Sequence, residues 1–385
     1  MKILFCYRNW MNPNKGGVQR VSDTLANYFK TKGHQLYYLT FEYEKEDKYQ
    51  FPAELIQLPD SDFYSEVNVR FYHKLLDDLS IDIMINHDAA NDRSRLFLNT
   101  GRSSVKKISL YHTDPLHELN RKPNLGGRIN NELLRNLVVN NLSGLIQKLR
   151  IGKKKKQIKD LLRNSDRLIV LSKQHKQRIE TVLNIKTPKI VALSNPIAIL
   201  NVEGEILKKK QILFVARMEL VVKRPDKMLK IWSRINDKHP DWELIFLGDG
   251  PEKDKMIELA SSLNISNVRF EGFVLPAPYY QEASVLCMTS EYEGFPSVLV
   301  EAMEKEMAPV TFNNWISLKD VIDDGKNGLL ASRDNLDQFA EKLDKLLSED
   351  SYRNEIALNA KVSVAKFKVE NIGPLWEQLF KELVN

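Results

Sequence analysis

The residues best placed for chemistry are two acids beside a helix start and two cations beside a strand end. Glu293 and Glu301 have seven residues between them in Glu291-Tyr292-Glu293-Gly294-Phe295-Pro296-Ser297, which runs on to Glu301-Ala302-Met303. The apolar run Val285 to Met288 reads as a buried strand, while Val298, Leu299, Ala302 and Met303 recur at helical spacing. The segment is then strand, turn, helix, with Pro296 as the first helical residue, where a missing N–H does no harm. Open amides near Ser297, Val298 and Leu299 would seat an anion such as a diphosphate. Glu301 lies about 6 Å further along the helix, in reach of a ribose on that diphosphate. Glu293 faces the other side, toward a sugar whose vicinal hydroxyls a carboxylate can accept in pairs. An amphipathic helix with solvated glutamates has the same spacing, so the pattern of two acids does not stand alone.

The cations are Arg217 and Lys223, delivered by the strand Ile212 to Val215, with Arg224-Pro225-Asp226 opening the next helix. An arginine and a lysine in such a loop neutralise the charge that develops on a departing diphosphate, and that help counts in the transition state. Loop cations that do nothing but meet solvent are also common. Gly16 and Gly17, between a first strand and a helix, can turn backbone N–H groups toward a phosphate, although a glycine-eased turn explains them equally. His112 follows the run Ile108 to Tyr111 and His87 follows Met84 to Asn86, both at strand ends where ligands of parallel sheets sit. Asp114 and His117 lie close by in sequence and are candidates to shape an acceptor pocket.

Those residues need elements to hold them. With 385 residues, 43% hydrophobic and 28% charged, the chain is long enough for two cores. Strand-like runs at Ile3–Tyr7, Gln35–Leu39, Ile83–Asn86, Lys107–Tyr111, Arg167–Leu171 and Ile190–Leu193 alternate with helical patterns such as Val67–Leu79 and Lys173–Leu183. A second series follows near Gln211–Val215, Trp242–Leu247, Val268–Phe273, Val285–Met288 and Ala308–Thr311. Alternation of this kind predicts an α/β protein with two Rossmann-like, doubly wound parallel-sheet domains. Boundaries are expected at residues 1–196, a linker at 197–210, a second domain at 211–363, and a C-terminal helix at 364–385 that crosses back to the first.

Composition narrows the classes further. Cys6 and Cys287 are the only cysteines, each in a strand-like run, so no disulfide framework or zinc spacing exists and a reducing compartment is expected. No stretch reads as a signal peptide or a membrane span, which makes a cytoplasmic placement the expectation. Asp60-Ser61-Asp62 follows Pro59 without an apolar strand, so it reads as a turn and not as a metal-binding pair. The formal charge is +6, and Lys153 to Lys156 sit in a strongly basic stretch centred on Lys148–Lys159. Leu142, Leu145, Ile146 and Leu149 precede the lysines as one apolar stripe, and Ile158, Leu161 and Leu162 follow as another. Solvated helix faces with a lysine loop are one reading; a surface that rests on anionic lipid is the other. Nucleic acid is not expected, because no aromatic residues interleave the charges.

Taken together, the Ser290–Met303 run, the Arg217/Lys223 pair, the Gly16-Gly17 loop, Gly248-Asp249-Gly250-Pro251 and Asp324–Leu330 resemble the retaining family 4 glycosyltransferases of the GT-B fold. The resemblance covers nearly the whole chain. It implies two domains facing across a cleft, transfer of a sugar from a nucleotide-diphosphate sugar (a UDP-sugar first) to a saccharide or lipid-linked saccharide, and no metal or other cofactor. It further implies that Arg217 and Lys223 hold the diphosphate with the helix start at Phe295, Pro296, Ser297, Val298 and Leu299. Glu301 would take the ribose, Glu293 the transferred sugar, and His112 would orient that sugar with His87 as its understudy. Gly16, Gly17 and Gly248 would line the donor, and Phe273 and Val274 the base. Two departures stand out. Five residues separate Arg217 from Lys223 where four is commoner, with Arg224 as the substitute cation, and Phe312 to Ser317 replaces the usual glycine pair, leaving the sugar open. An epimerase or hydrolase of the same fold, or a non-catalytic nucleotide-sugar-binding adaptor, are the rival functions, and cell-surface polysaccharide or glycolipid synthesis at the inner membrane face is the implied setting.

Overall fold

The computed structural model describes residues 1–14, 16–42, 49–90, 95–101, 103–117, 132–197 and 207–385, with the side chains of 95 and 132–143 left aside. The chain divides into two compact units, one made of Met1–Pro13, Leu25–Ser194 and Gly373–Asn385, the other of Asn14–Thr24 and Asn195–Ile372.

Among the described residues, the first unit holds a seven-stranded sheet of β1 (Lys2–Tyr7), β2 (Gln35–Thr40), β3 (Glu54–Gln57), β4 (Ile83–Asn86), β5 (Lys106–Tyr111), β6 (Arg167–Val170) and β7 (Ile190–Ala192), ordered β3-β2-β1-β4-β5-β6-β7. The second holds a six-stranded sheet of β8 (Lys209–Val215), β9 (Glu243–Leu247), β10 (Val268–Gly272), β11 (Ala283–Met288), β12 (Ala308–Phe312) and β13 (Leu329–Ala331), ordered β10-β9-β8-β11-β12-β13. Neighbouring strands run parallel in both. Strands buried on two faces read as continuous apolar runs, which is why Ile3–Cys6 and Ile212–Phe214 were legible without alternation. The edge strand β3 is only half buried, and β13 is three residues long behind a turn, so neither was foreseen. Gly328 opens β13 because a Cβ there would lie 2.6 Å from Ile322 and 2.8 Å from Pro309.

Each unit has its own core. Trp232, Trp242, Phe214, Phe246 and Phe312 fill the second, and Tyr72, Phe97, Met84 and Leu4 lie in the first. The last helix, Val369–Val384, sets Trp376 and Phe380 against Phe29 and bonds Glu377 to His34 at 2.8 Å, with Gly373 clearing the ring of Tyr28. It starts later than the expected residue 364, since Val364 ends the preceding helix Asp350–Val364. The expected linker also shrinks, because Lys209 and Lys210 belong to β8; residues 198–206 of it lie outside the described residues.

The lysine loop is corrected outright: Lys148–Lys159 lies inside one helix, Glu132–Asn164. The second apolar stripe is no surface either, since Ile158 and Leu161 are buried in the first unit's core. Lys154 is buried as well, its ammonium donating to Tyr111 Oη and Gln157 Oε1 at 2.9 Å each. Leu142 lies outside the described side chains. Asp60 and Asp62 form the expected turn, their carboxylates accepting the amides of Asp62 and Tyr64.

Strand order reverses direction between β1 and β4 in one sheet and between β8 and β11 in the other. Just beyond the carboxyl ends of such strand pairs a parallel sheet opens a crevice, and both sets of candidate residues sit there.

Candidate functional site

In the second unit the loop after β8 is fastened to the turn after β11. Thr289 Oγ1 donates toward the carbonyls of Lys223 (3.1 Å) and Arg224 (2.7 Å), and the Glu291 amide donates to Val222 O at 2.7 Å. This brings Lys223 Nζ to 2.7 Å from Glu293 Oε1, both largely shielded from water. The spacing of five residues therefore still delivers Lys223, and not Arg224, to the acid. Arg224 turns instead to Asp226, at 2.9 Å through two parallel bonds, and to Glu291 at 2.8 Å. Arg217 is not drawn into this group: its guanidinium is exposed and has no hydrogen-bond or ion-pair partner among the described residues. Behind it, Gly248 at φ +136° packs where a Cβ would lie 2.0 Å from Ala216 O, so its part is to let two loops touch.

The helix that follows is Ser297–Glu304. Pro296 is its cap and not its first residue, because ψ of 68° is outside the helical range. Ser297 is corrected too, since its amide already donates to Phe295 O at 2.9 Å. The helical ladder begins with Val300 N–H to Pro296 O at 3.1 Å, which leaves the amides of Val298 and Leu299 ahead of it. Phe295 contributes backbone only, as its ring is buried edge-on against Phe367. Glu301 is 5% exposed and accepts from Arg20 Nη1 at 3.4 Å and Tyr280 Oη at 3.3 Å. Burial pushes its carboxyl above the usual range, and Arg20 pulls it part of the way back. At the rear of the same helix, Lys208 Nζ donates to the carbonyls of Lys305 (2.5 Å), Ala283 (2.8 Å) and Tyr280 (3.1 Å).

Phe273 follows β10 with 64% of its surface exposed, and Val274 is half buried beside it. In the departing segment Asn314 Nδ2 donates to Ser290 O at 3.0 Å, tying the end of β12 to the acid turn. Gly16 and Gly17 open the helix Gly17–Thr31, where Gly16 O receives the Arg20 amide; a side chain at Gly17 would meet nothing, so no close approach requires that glycine.

At the first unit's crevice His87 and His112 are partners and not alternatives. Their rings stack, with Nδ1 of His87 2.9 Å from Nε2 of His112, and His87 also stacks on Tyr7 at 4.4 Å. Burial pushes His112 down to about 3 and His87 well below its ordinary value, so both are neutral near pH 7. Asp114 braces its loop, accepting the Leu116 amide and Arg178, and His117 bonds Asp114 O. Both therefore hold the turn that follows β5.

Sequence reasoning passed over Arg20, Tyr280, Lys227, Asp334 and the role of Glu291. Only Arg20, one helical turn beyond the glycine pair, and Glu291, two residues before Glu293, carried a local signal.

Both halves of the chain are similar to known proteins. A description of glycosyl transferases group 1 matches residues 198–363, and one of Glycosyltransferase Family 4 matches residues 15–199. An uncharacterized glycosyltransferase of Haemophilus influenzae is 27% identical over 215 residues, 55% of this chain and 60% of that protein. The GalNAc-alpha-(1->4)-GalNAc-alpha-(1->3)-diNAcBac-PP-undecaprenol alpha-1,4-N-acetyl-D-galactosaminyltransferase of Campylobacter jejuni is 30% identical over 180 residues, 46% of this chain and 50% of that one. The chain thus matches only 50–60% of the length of these curated relatives. A variant of S. aureus TarM, solved with fondaparinux, alpha-GlcNAc-glycerol and UDP, superposes with a TM-score of 0.77 over 98% of this chain and 99% of its own, at 17% identity. That likeness speaks for the fold. With two family descriptions covering its halves in turn and two all-parallel sheets of GT-B type, the chain belongs to the group 1 glycosyltransferases.

Proposed function

We propose that this protein moves a sugar, with retained anomeric configuration, from a nucleotide-diphosphate sugar to a saccharide or lipid-linked saccharide acceptor. One observation carries the reading: Lys223 and Glu293 meet at 2.7 Å at the crevice of the second sheet, immediately before a helix with amides to spare. An ammonium has three protons, so Lys223 can keep its bond to Glu293 and still donate to a phosphate oxygen. Arg217, unengaged, adds a second positive charge, and the amides of Val298 and Leu299 a third contribution. Glu293 accepts hydroxyls of the transferred sugar, and Glu301 those of the ribose.

In the step itself the acceptor hydroxyl attacks the anomeric carbon on the face from which the diphosphate leaves. The C–O bond to the diphosphate breaks, its electron pair stays on the phosphate oxygen, and that oxygen receives the acceptor's proton. No protein nucleophile is used, and the positive groups named here make a metal unnecessary. The neutral His87/His112 pair in the first unit suits hydroxyl groups and not an anion. A UDP-sugar is the first donor to try, since Phe273 offers a flat apolar face after β10.

Anionic membrane docking belongs to this reading through the helix Glu132–Asn164. Leu145 and Leu149 are 54% and 65% exposed there beside exposed Lys148, Arg150, Lys153, Lys156 and Lys159. That would place the enzyme on the cytoplasmic face of the membrane, near a lipid-linked acceptor. Co-sedimentation with vesicles containing phosphatidylglycerol, but not with pure phosphatidylcholine vesicles, is the expected result.

The main test is a panel of nucleotide-sugars scored by thermal stabilisation, followed by transfer with the best ligand. Release of nucleotide that depends on an added saccharide acceptor supports the reading. Turnover of donor alone would point to a hydrolase or epimerase, and binding with no turnover under any acceptor to an adaptor.

A further inference from the structure

Resting on that reading, we infer that Glu291 is a positioning residue, the hub of a clamp that fixes the register between the cation loop and the acid turn. Its Oε1 accepts from Arg224 Nη1 at 2.8 Å and Lys227 Nζ at 2.5 Å, and its Oε2 faces Arg333 at 3.5 Å. Lys227 is 5% exposed and also bonds Asp334. Three segments meet on this one carboxylate of the turn after β11: the loop after β8, the helix Pro225–Trp232 and the loop after β13.

Two backbone details show that the arrangement is specific. Arg224 holds φ 54° and ψ 51°, and Asp334 holds φ 59°, a left-handed conformation that residues with a Cβ seldom adopt. Both belong to the clamp. The turn at Arg224 sends adjacent side chains to acids two residues apart, Lys223 to Glu293 and Arg224 to Glu291. A loop with one residue more than is common between its cations has room to slip by one position. Pairing Arg224 with Glu291 forbids the slip, because Lys223 then has no choice but Glu293. Glu291 itself touches neither donor nor acceptor in this scheme.

The experiment uses the full chain and the donor and acceptor that support transfer. Arg224→Gly suits the left-handed backbone and removes the bond that sets the register of the cation loop, while Lys227 and Arg333 still hold Glu291. We expect kcat to fall by about 10- to 100-fold with donor KM within about twofold, as a misplaced catalytic group costs on that order. Arg224→Lys should recover part of the loss, and Glu291→Gln should mimic it. Combined with Lys223→Ala, Arg224→Gly should add almost nothing further, since both act through one contact. Wild-type kcat in Arg224→Gly, with Glu293→Ala inactive, overturns the clamp and leaves the site standing. Should Glu293→Ala turn over normally, the reading of the site falls and the clamp with it. A loss in Arg224→Gly that appears as lower melting temperature and raised KM, without rescue by lysine, reduces Glu291 to a structural ion pair and also overturns the inference.

Discussion

The two crevices of this molecule are built on the same plan and filled with opposite chemistry. Where β1 and β4 part, Tyr7, His87 and His112 stack with the imidazoles held uncharged by burial, beside the acid Asp88, which accepts the Arg8 amide. Where β8 and β11 part, Lys223, Arg224, Lys227, Glu291 and Glu293 form a network of ions. A parallel sheet supplies the place; the residues just past its strands decide what can be held there. Neutral donors and acceptors fit hydroxyl groups, and a preset ionic network fits a ligand that arrives charged and leaves more charged.

The heaviest blow to that contrast is a charge removed from the ionic crevice. Lys223→Ala and Glu293→Ala should each lower kcat by about 10²–10³-fold, the usual loss when one preorganised electrostatic group is removed. Circular dichroism melts of both variants should stay near wild type, and a collapse of the fold would assign the pair to stability instead.

Acid should strike the imidazole pair first. Folding lowers both imidazoles from 6.5, so the stability they contribute is complete above that value and is lost as pH falls toward about 3 for His112. Each histidine costs up to about 1.4 kcal/mol per pH unit over that window. Urea titrations at pH 7 and pH 5 measure this, and a His87→Phe/His112→Phe variant should show a flatter profile. Equal slopes in the two proteins would mean the imidazoles are not what acid attacks.

Salt sharpens the contrast more gently. Raising ionic strength shortens the reach of exposed charges, so donor KM should climb a few-fold while acceptor KM stays level. Smallest of all is Glu301→Gln in the absence of ligand. Removing a buried charge whose carboxyl is already pushed upward should leave the melting temperature unchanged or slightly higher, while donor affinity drops. Parallel losses of stability and affinity would mark Glu301 as a core residue only.

Much of this was legible from residue order, and the reasons for the gaps are physical. Continuous apolar runs announced the central strands of both sheets, and the acid turn was found because strand, turn, helix and two glutamates follow one another within Val285–Met303. The half-buried β3 and three-residue β13 carry too little apolar signal to be seen. The start of the helix Ser297–Glu304 was misread by one residue, since a proline suits the cap as well as the first turn, and only φ and ψ separate them. Lysines 153 to 156 look like a loop by charge, yet Lys154 earns its place in a helix by a buried bond to Tyr111, which lies 43 positions away. Arg20 with Glu301, and Lys227 with Asp334, are likewise bonds across 281 and 107 positions, out of reach of any local pattern.

Lys208 offers a last consequence. Its ammonium closes off the tail of the helix whose leading end would seat the phosphates, some 12 Å away at about 1.5 Å per residue. On the proposed reading, Lys208→Met, a substitution that no survey of pocket-lining positions would select, should change nucleotide affinity from behind, as thermal stabilisation by the nucleotide would measure.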